Sequence, residues 1–332
     1  MKLIPLAPAA LLAPLAAMAF AAPALAQSAE SGIWTLQDEN ASIAVTGPTD
    51  RYYVNGFHVG WTSPAGAVPA PVAELGHDLL GAGTQRFSLG ILQQLYTAAD
   101  TSAIDPSPYQ EPYAGYLVAQ AGLTQDSGNT RTLLGVNLGV IGRDAGGEIV
   151  QNDFHAIIGQ KGTHGWAYQL PSEPALDLTA ARIWRLNTGT LFGLETDALP
   201  QVSGMAGLTE DYVQSALAMR IGQGLGSDFG VPMLTNSPTG GDAYSPVAPL
   251  DWYLFASIAG KLVAHDEVLQ GADFQPSRHV DAFPAVGSFS AGVAVLWRGW
   301  RFTYTEVFQT TRYYDQPQTL HEFGSFSVSA AF

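Results

Sequence analysis

Three polar stretches stand apart from an otherwise apolar, glycine-rich chain. The first, LQDENASIAVTGPTDRYYVNGFHVGWTSP, carries Gln37, Asp38, Glu39 and Asn40, then Asp50, Arg51 and Asn55. The second is QQLYTAADTSAIDPSPYQEPYAGYL. The third, LGVIGRDAGGEIVQNDFHAIIGQKGTHGWAYQLPSEP, is the most polar, with Gln151, Asn152, Asp153, His155, Lys161, His164 and Trp166. A histidine among carboxylates and amides can move protons in a hydrolysis, and carboxylate oxygens can hold a hard cation. Each group also has a structural reading: polar strand ends that face a wet lumen, or a hydrogen-bonded histidine in a short loop helix. Spacing alone selects neither.

The elements that must position these residues are strands. Segments of roughly ten residues with alternate apolar positions recur along the chain and number about twelve. Two of them, Leu178–Asn187 and Thr190–Met205, are expected to be joined by a tight NTG turn, and RGW marks another tight turn. Long connectors such as VPMLTNSPTGGDAYSPVAP and LQGADFQPSRHVDAFPAV suggest short turns at one end of a barrel and long loops at the other. Trp61, Tyr96, Tyr113, Trp252, Tyr253, Trp297, Trp300, Tyr313 and Tyr314 lie near strand ends, as interfacial aromatic girdles do. The chain closes on FGSFSVSAAF, with Phe326, Val328, Ala330 and Phe332 apolar in alternation to the last residue. A soluble sandwich also alternates, but a final strand this well formed suits a closed barrel, where an open edge in hydrocarbon would leave backbone groups unsatisfied.

Composition narrows the class. The chain has no cysteine, and 29 acidic against 14 basic residues give a net charge of −15, so it has no basic stripe for nucleic acid and no disulfide frame. Residues 1–26 read as a cleaved secretory leader ending Ala24-Leu25-Ala26, after which no apolar run approaches the roughly twenty residues of a spanning helix. The expectation is an all-β protein: one transmembrane antiparallel β-barrel domain of about twelve strands over residues 27–332, with a short helical or loop segment around residues 150–176. It is expected to be exported, to sit in the bacterial outer membrane and to be a monomer.

Taken together, QDEN, TDRYYVNGFHVGWTS, QQLYT, PYAGY, GVIGRDAGGEIVQNDFHAIIG and GWAYQL resemble the outer-membrane lipid A 3-O-deacylases of the LpxR type, over roughly the first half of the mature chain. The resemblance implies a twelve-stranded barrel that hydrolyses the ester joining an acyl chain to the 3-position of lipid A, or lipopolysaccharide, in the outer leaflet. It implies a histidine general base and a divalent cation, calcium in the known cases. Carried over by motif, the base falls on His155 and the family's asparagine on Asn40, preceded by Glu39. Substrate contacts are expected from Arg51, Tyr53, Arg143, Gln151 and Lys161.

The chain departs from the family pattern at Ala41, where an aspartate is usual, at Val54, where a threonine or serine is common, and within GQKG, where some members carry an acid. Loss of a carboxylate weakens a hard-cation site, which leaves Asp38, Glu39, Asp50 and Asp153 as candidate ligands. Alternation allows Asp38 and Asn40 to share one face and Glu39 the other; if Asn40 faces the lumen, so does Asp38. Lys161 offers a second route, a fixed ammonium at the oxyanion or at a substrate phosphate. The competing reading is a non-catalytic outer-membrane barrel that binds lipid or is structural. A diffusion porin is disfavoured because side chains fill so small a barrel.

Overall fold

The computed structural model describes residues 31–47, 49–235 and 237–332; the predicted leader lies outside them. The strands are β1 Ile33–Asn40, β2 Tyr52–Thr62, β3 Thr84–Thr97, β4 Ala114–Ser127, β5 Thr130–Ile141, β6 Glu173–Trp184, β7 Leu186–Leu191, β8 Leu194–Gly207, β9 Glu210–Gln223, β10 Leu250–Asp266, β11 Ala285–Trp297, β12 Trp300–Thr310 and β13 Leu320–Ala331. Every pairing is antiparallel, β1 pairs with β13, and β6 pairs with β8. Twelve strands therefore close on themselves, and β7 hydrogen-bonds to β8 alone, outside the ring. The expected NTG turn lies inside β7 instead: the chain reverses at Phe192-Gly193, and the extra residue at Asn187–Gly189 is a bulge.

The final strand shows why the alternation had to run to the end. Ser325, Ser327 and Ser329 are buried toward the lumen, so Phe326, Val328, Ala330 and Phe332 point outward. Backbone bonds from Gly32 to the Phe332 carbonyl (3.1 Å) and back to Gly32 (2.9 Å) carry the β1–β13 seam to the last residue. The outward row of β10 is equally apolar, and Leu254, Ile258 and Leu262 are 52%, 60% and 66% exposed. A contiguous apolar band of this kind is stable only against hydrocarbon.

Part of the lumen is occupied by the chain itself. Residues 224–235 and 237–249 follow β9, run inside the ring and lead to β10, tied wall to wall. Gln37 donates to the Pro232 carbonyl (3.1 Å), Leu234 N–H to Glu39 (2.8 Å) and Arg131 to the Ala243 carbonyl (2.7 Å). Asp228 joins Arg220 (2.6 Å) and Arg301 (3.0 Å), all three fully buried. This segment was expected as an outer loop. It enters from the rim where the described residues begin at 31 and end at 332, here called the terminal rim, which also holds the tight turns at residues 128–129 and 298–299, so the two ends are less unequal than the connector lengths suggested.

Among the described residues three helices complete the fold: α1 Ala70–Leu80, α2 Gly147–Ile158 and the single turn α3 Glu267–Gln270. The second, followed by a 3₁₀ turn at Gly165–Tyr168, occupies the segment expected to be helical. The first had no sequence expectation.

Candidate active site

The site forms where α2 lies against the outside of the barrel wall, at the rim opposite the terminal one. Val54, Leu95, Ala98, Tyr113 and Trp166 make a buried apolar bed there. Val54 reaches it through a bulge: Tyr53 pairs with Tyr96 and Asn55 with Leu95, which leaves Val54 as the extra residue. The helix can approach this closely because its first residue is Gly147; a Cβ there would meet the Trp166 ring at 2.5 Å and Leu95 at 3.0 Å.

Gln151 and His155, four residues apart, share the buried face of α2, as the helical period requires. Trp166 Nε1 and Thr163 Oγ1 each donate to Gln151 Oε1, both at 2.9 Å. An indole nitrogen can only donate, so the oxygen of the Gln151 amide must face it and the NH2 must face the other way. That NH2 donates to Asp50 Oδ1 at 3.0 Å. The Asp50 Oδ2 then stands 3.8 Å from His155 Nε2. On the far side of the ring, His155 Nδ1 bonds to the Lys161 carbonyl at 2.8 Å. A carbonyl only accepts, so Nδ1 carries a proton, and in the neutral ring the Nε2 lone pair points toward Asp50.

Burial raises the Asp50 carboxyl above its ordinary range, and the facing His155 and the Gln151 hydrogen bond partly offset that. At 3.8 Å the carboxylate is too far to hydrogen-bond Nε2 but close enough to stabilise an imidazolium. Thr49 N–H donates to the Ala41 carbonyl (3.0 Å), folding the β1–β2 loop back so that Asp50 stands beside the end of β1 that carries Asn40. Asn40 Oδ1 accepts from Ser42 N–H (2.7 Å) and Ser42 Oγ (2.6 Å), which leaves its NH2 to donate outward.

The remaining expected residues divide by face. The lumenal set in β1 is Thr35, Gln37 and Glu39, so Asp38 and Asn40 lie on the outer face and Glu39 does not. Glu39 instead accepts from Tyr53 Oη at 2.8 Å inside the lumen, which removes both Glu39 and Tyr53 from the outer site. Asp38 accepts from Asn55 Nδ2 at 2.8 Å. Arg51 lies over the Tyr52 ring at 5.9 Å, and Arg143 is exposed in a 3₁₀ turn. The Lys161 side chain is exposed; what it contributes to His155 is its backbone carbonyl. Asp153 is exposed on the side of α2 away from His155. No residue-type signal could have flagged the Lys161 carbonyl or the Thr163 hydroxyl, because each is defined by a hydrogen bond made only after folding.

The donor set does not fit a cation held by the protein. Calcium takes six to eight oxygens, and among the described residues no three His, Asp or Glu side chains gather as a metal would need. Of the four candidate ligands, Asp50 alone faces His155.

A lipid-facing β-barrel with a histidine–carboxylate pair on its outer wall is the class that fold and site define. The chain belongs to the family of outer membrane protein LpxR, which matches residues 11–332. Among solved structures it is similar to LpxR from Salmonella typhimurium, with a TM-score of 0.73 and 20% identity, over 90% of this chain and 100% of that one. That likeness shows the shared barrel. The β domain of the Bordetella autotransporter BrkA also matches, with a TM-score of 0.35 and 10% identity over 91% of this chain and 97% of that one, too slight to bear on function. No match was found among curated protein sequences.

Proposed function

We propose that the protein is a lipid esterase of the outer leaflet that removes the acyl chain ester-linked at the 3-position of lipid A, with His155 as general base. The observation that carries this reading is the anchoring of His155: its Nδ1 is held by a backbone carbonyl and its Nε2 lone pair faces Asp50, on the lipid side of the wall. Access supports it as well. Ile149, Val150 and Ile157 on the free side of α2 are 66%, 40% and 81% exposed, so the helix offers acyl chains an apolar flank while its polar face closes on the wall.

In this reading Nε2 takes a proton from water, and the hydroxide attacks the ester carbonyl carbon. Asp50 stabilises the imidazolium that results, and the free Asn40 amide is the candidate donor to the oxyanion. Collapse breaks the bond to the sugar oxygen, which recovers the proton from Nε2. The products are a free fatty acid and lipid A with one new hydroxyl. Arg51, Arg143 and Lys161 at the same rim are the basic groups available to the phosphates of lipid A, and this orientation places the long-loop rim outside the cell. A bound divalent cation would serve mainly through substrate phosphates and water, since the protein supplies so few ligands.

Mass spectrometry of lipid A from cells producing the protein, beside cells producing His155→Ala, tests the proposal. Loss of one hydroxyacyl mass only with the unaltered protein is the expected result. Unchanged lipid A, or loss that survives His155→Ala, would overturn it. Repeating the assay with a chelator and with added calcium tests the cation directly.

A further inference from the structure

Six of the seven tryptophans end a strand at one rim and point outward. Trp34 on β1, Trp61 on β2, Trp184 on β6, Trp252 on β10, Trp297 on β11 and Trp300 on β12 all lie at the terminal rim, each in the outward register of its strand. The seventh, Trp166, is buried beneath α2. Of the tyrosines expected in girdles, Tyr113, Tyr253 and Tyr313 are each 1% exposed and face no lipid, while Tyr314, at the opposite rim, is 52% exposed. Phe332 extends the ring over β13, edge-on to Trp300 at 5.9 Å. Two gaps remain, at β3–β5 and at β8–β9, where the wall carries no tryptophan.

A separate element covers part of each gap. α1 lies on the outside of the wall over β3 and β4. Arg86 points into the lumen, where it reaches the Ser63 carbonyl and Ser245, and Thr124 donates inward to the Gly240 carbonyl, so their neighbours Gln85, Leu123 and Gln125 point out. Gly76 seats the helix on them, since a Cβ there would lie 2.6 Å from both Gln85 Nε2 and Leu123 Cδ2. Gln125 Nε2 donates to the carbonyls of Leu80 (3.3 Å) and Gly81 (3.2 Å), satisfying the helix end that would otherwise be orphaned against hydrocarbon.

The free surface of α1 is divided. At about 100° per residue, Val72, Leu75 and Leu79 fall on one flank and Glu74 and Asp78 on another. Leu75 and Leu79 are 58% and 63% exposed. Beside the second gap, the β7–β8 hairpin exposes Leu186 (50%), Leu191 (50%) and, at its tip, Phe192 (93%). Phe192 has φ +52°, a left-handed conformation unfavourable for an aromatic residue, and an aqueous turn would favour glycine or asparagine there.

We propose that α1 and the β7–β8 hairpin tip are membrane-interface anchors, set among phospholipid at the terminal rim, where they complete the tryptophan girdle. The apolar flank of the helix continues the outward row of Phe87, Leu89 and Ile91 on β3, and its acidic flank faces water, as interfacial amphipathic helices lie. Phe192 enters the same zone, where an aromatic ring is stable at the headgroup boundary.

The chain has no cysteine, so single-site labelling is clean. Leu79→Cys, Phe192→Cys and Asp78→Cys variants, each carrying an environment-sensitive fluorophore, are inserted into liposomes of phosphatidylethanolamine and phosphatidylglycerol. Folding of each barrel is verified by its heat-modifiable gel mobility. The expected result is that labels at 79 and 192 are quenched by lipids brominated near the headgroup end of the chain and protected from aqueous iodide, with the opposite pattern at 78. Iodide quenching at either 79 or 192 equal to that at 78 would overturn the proposal. The assay reads no catalysis, so it succeeds or fails independently of the esterase reading.

Discussion

Asp50→Asn isolates the electrostatic part of the proposed mechanism. The substitution keeps the shape and the hydrogen bond from Gln151 but removes the charge that faces His155 Nε2 at 3.8 Å. A unit charge pair at that separation is worth about 1 kcal/mol in water and about 4 kcal/mol in the medium typical of a protein surface. The Asp50 side chain is 37% exposed and His155 only 8%, so the pair sits between these limits, at roughly 2 kcal/mol. If the imidazolium forms fully in the transition state, loss of Asp50 slows the chemical step by roughly thirtyfold. Initial rates of fatty-acid release from lipid A in mixed micelles measure this, with KM expected to change little. A rate within roughly twofold of the parent would refute the reasoning. Recovery of the full rate by added calcium would refute it differently and make Asp50 a cation ligand.

Gly147→Leu should lift α2 from the wall, since even a Cβ there meets Trp166 at 2.5 Å. The barrel should keep its heat-modifiable mobility while deacylation falls by roughly a hundredfold, the cost of displacing a catalytic group by about an ångström. Asp228→Ala removes the shared partner of Arg220 and Arg301; Arg220 keeps Asp197 at 2.6 Å, whereas Arg301 has no second direct ion pair among the described residues and keeps only the field of Asp242, so a loss of roughly 3 kcal/mol is expected in urea unfolding from liposomes. Planar-bilayer recordings of the same variant should show new conductance steps if the lumenal segment loosens, against none for the parent. Burial, with Glu173 and Asp273 nearby, pushes Glu267 up to about 8 from an ordinary 4.5. The folded state then binds more protons than the unfolded state across that window, so stability falls as pH rises from about 4.5 to about 8. Amide exchange at Asp273 and Phe274, whose N–H groups donate to Glu173, should show protection that weakens through that range and a flat response in Glu267→Gln.

The pattern of residues along each strand determined the barrel. Serine at 325, 327 and 329 between apolar residues at 326, 328 and 330 gives a strand with one polar and one apolar face, and a period of two needs no long-range information. The polar motifs likewise mark His155, Gln151, Asp50 and Asn40 as candidates by residue type. What the sequence could not decide was which wall face each motif residue occupies and where the long connectors go. One residue of register inverts a face, so Glu39 and Tyr53 went to the lumen while Asp38 and Asn40 stayed outside. The bulge at Val54, the Lys161 carbonyl on His155 and the passage of residues 224–235 and 237–249 through the lumen each depend on contacts between segments tens to hundreds of residues apart in sequence or on backbone atoms common to every residue type. Only the closed tertiary structure brings Asp50 and His155 together across the outside of the wall, because their meeting depends on helix–strand packing that leaves no period in the sequence.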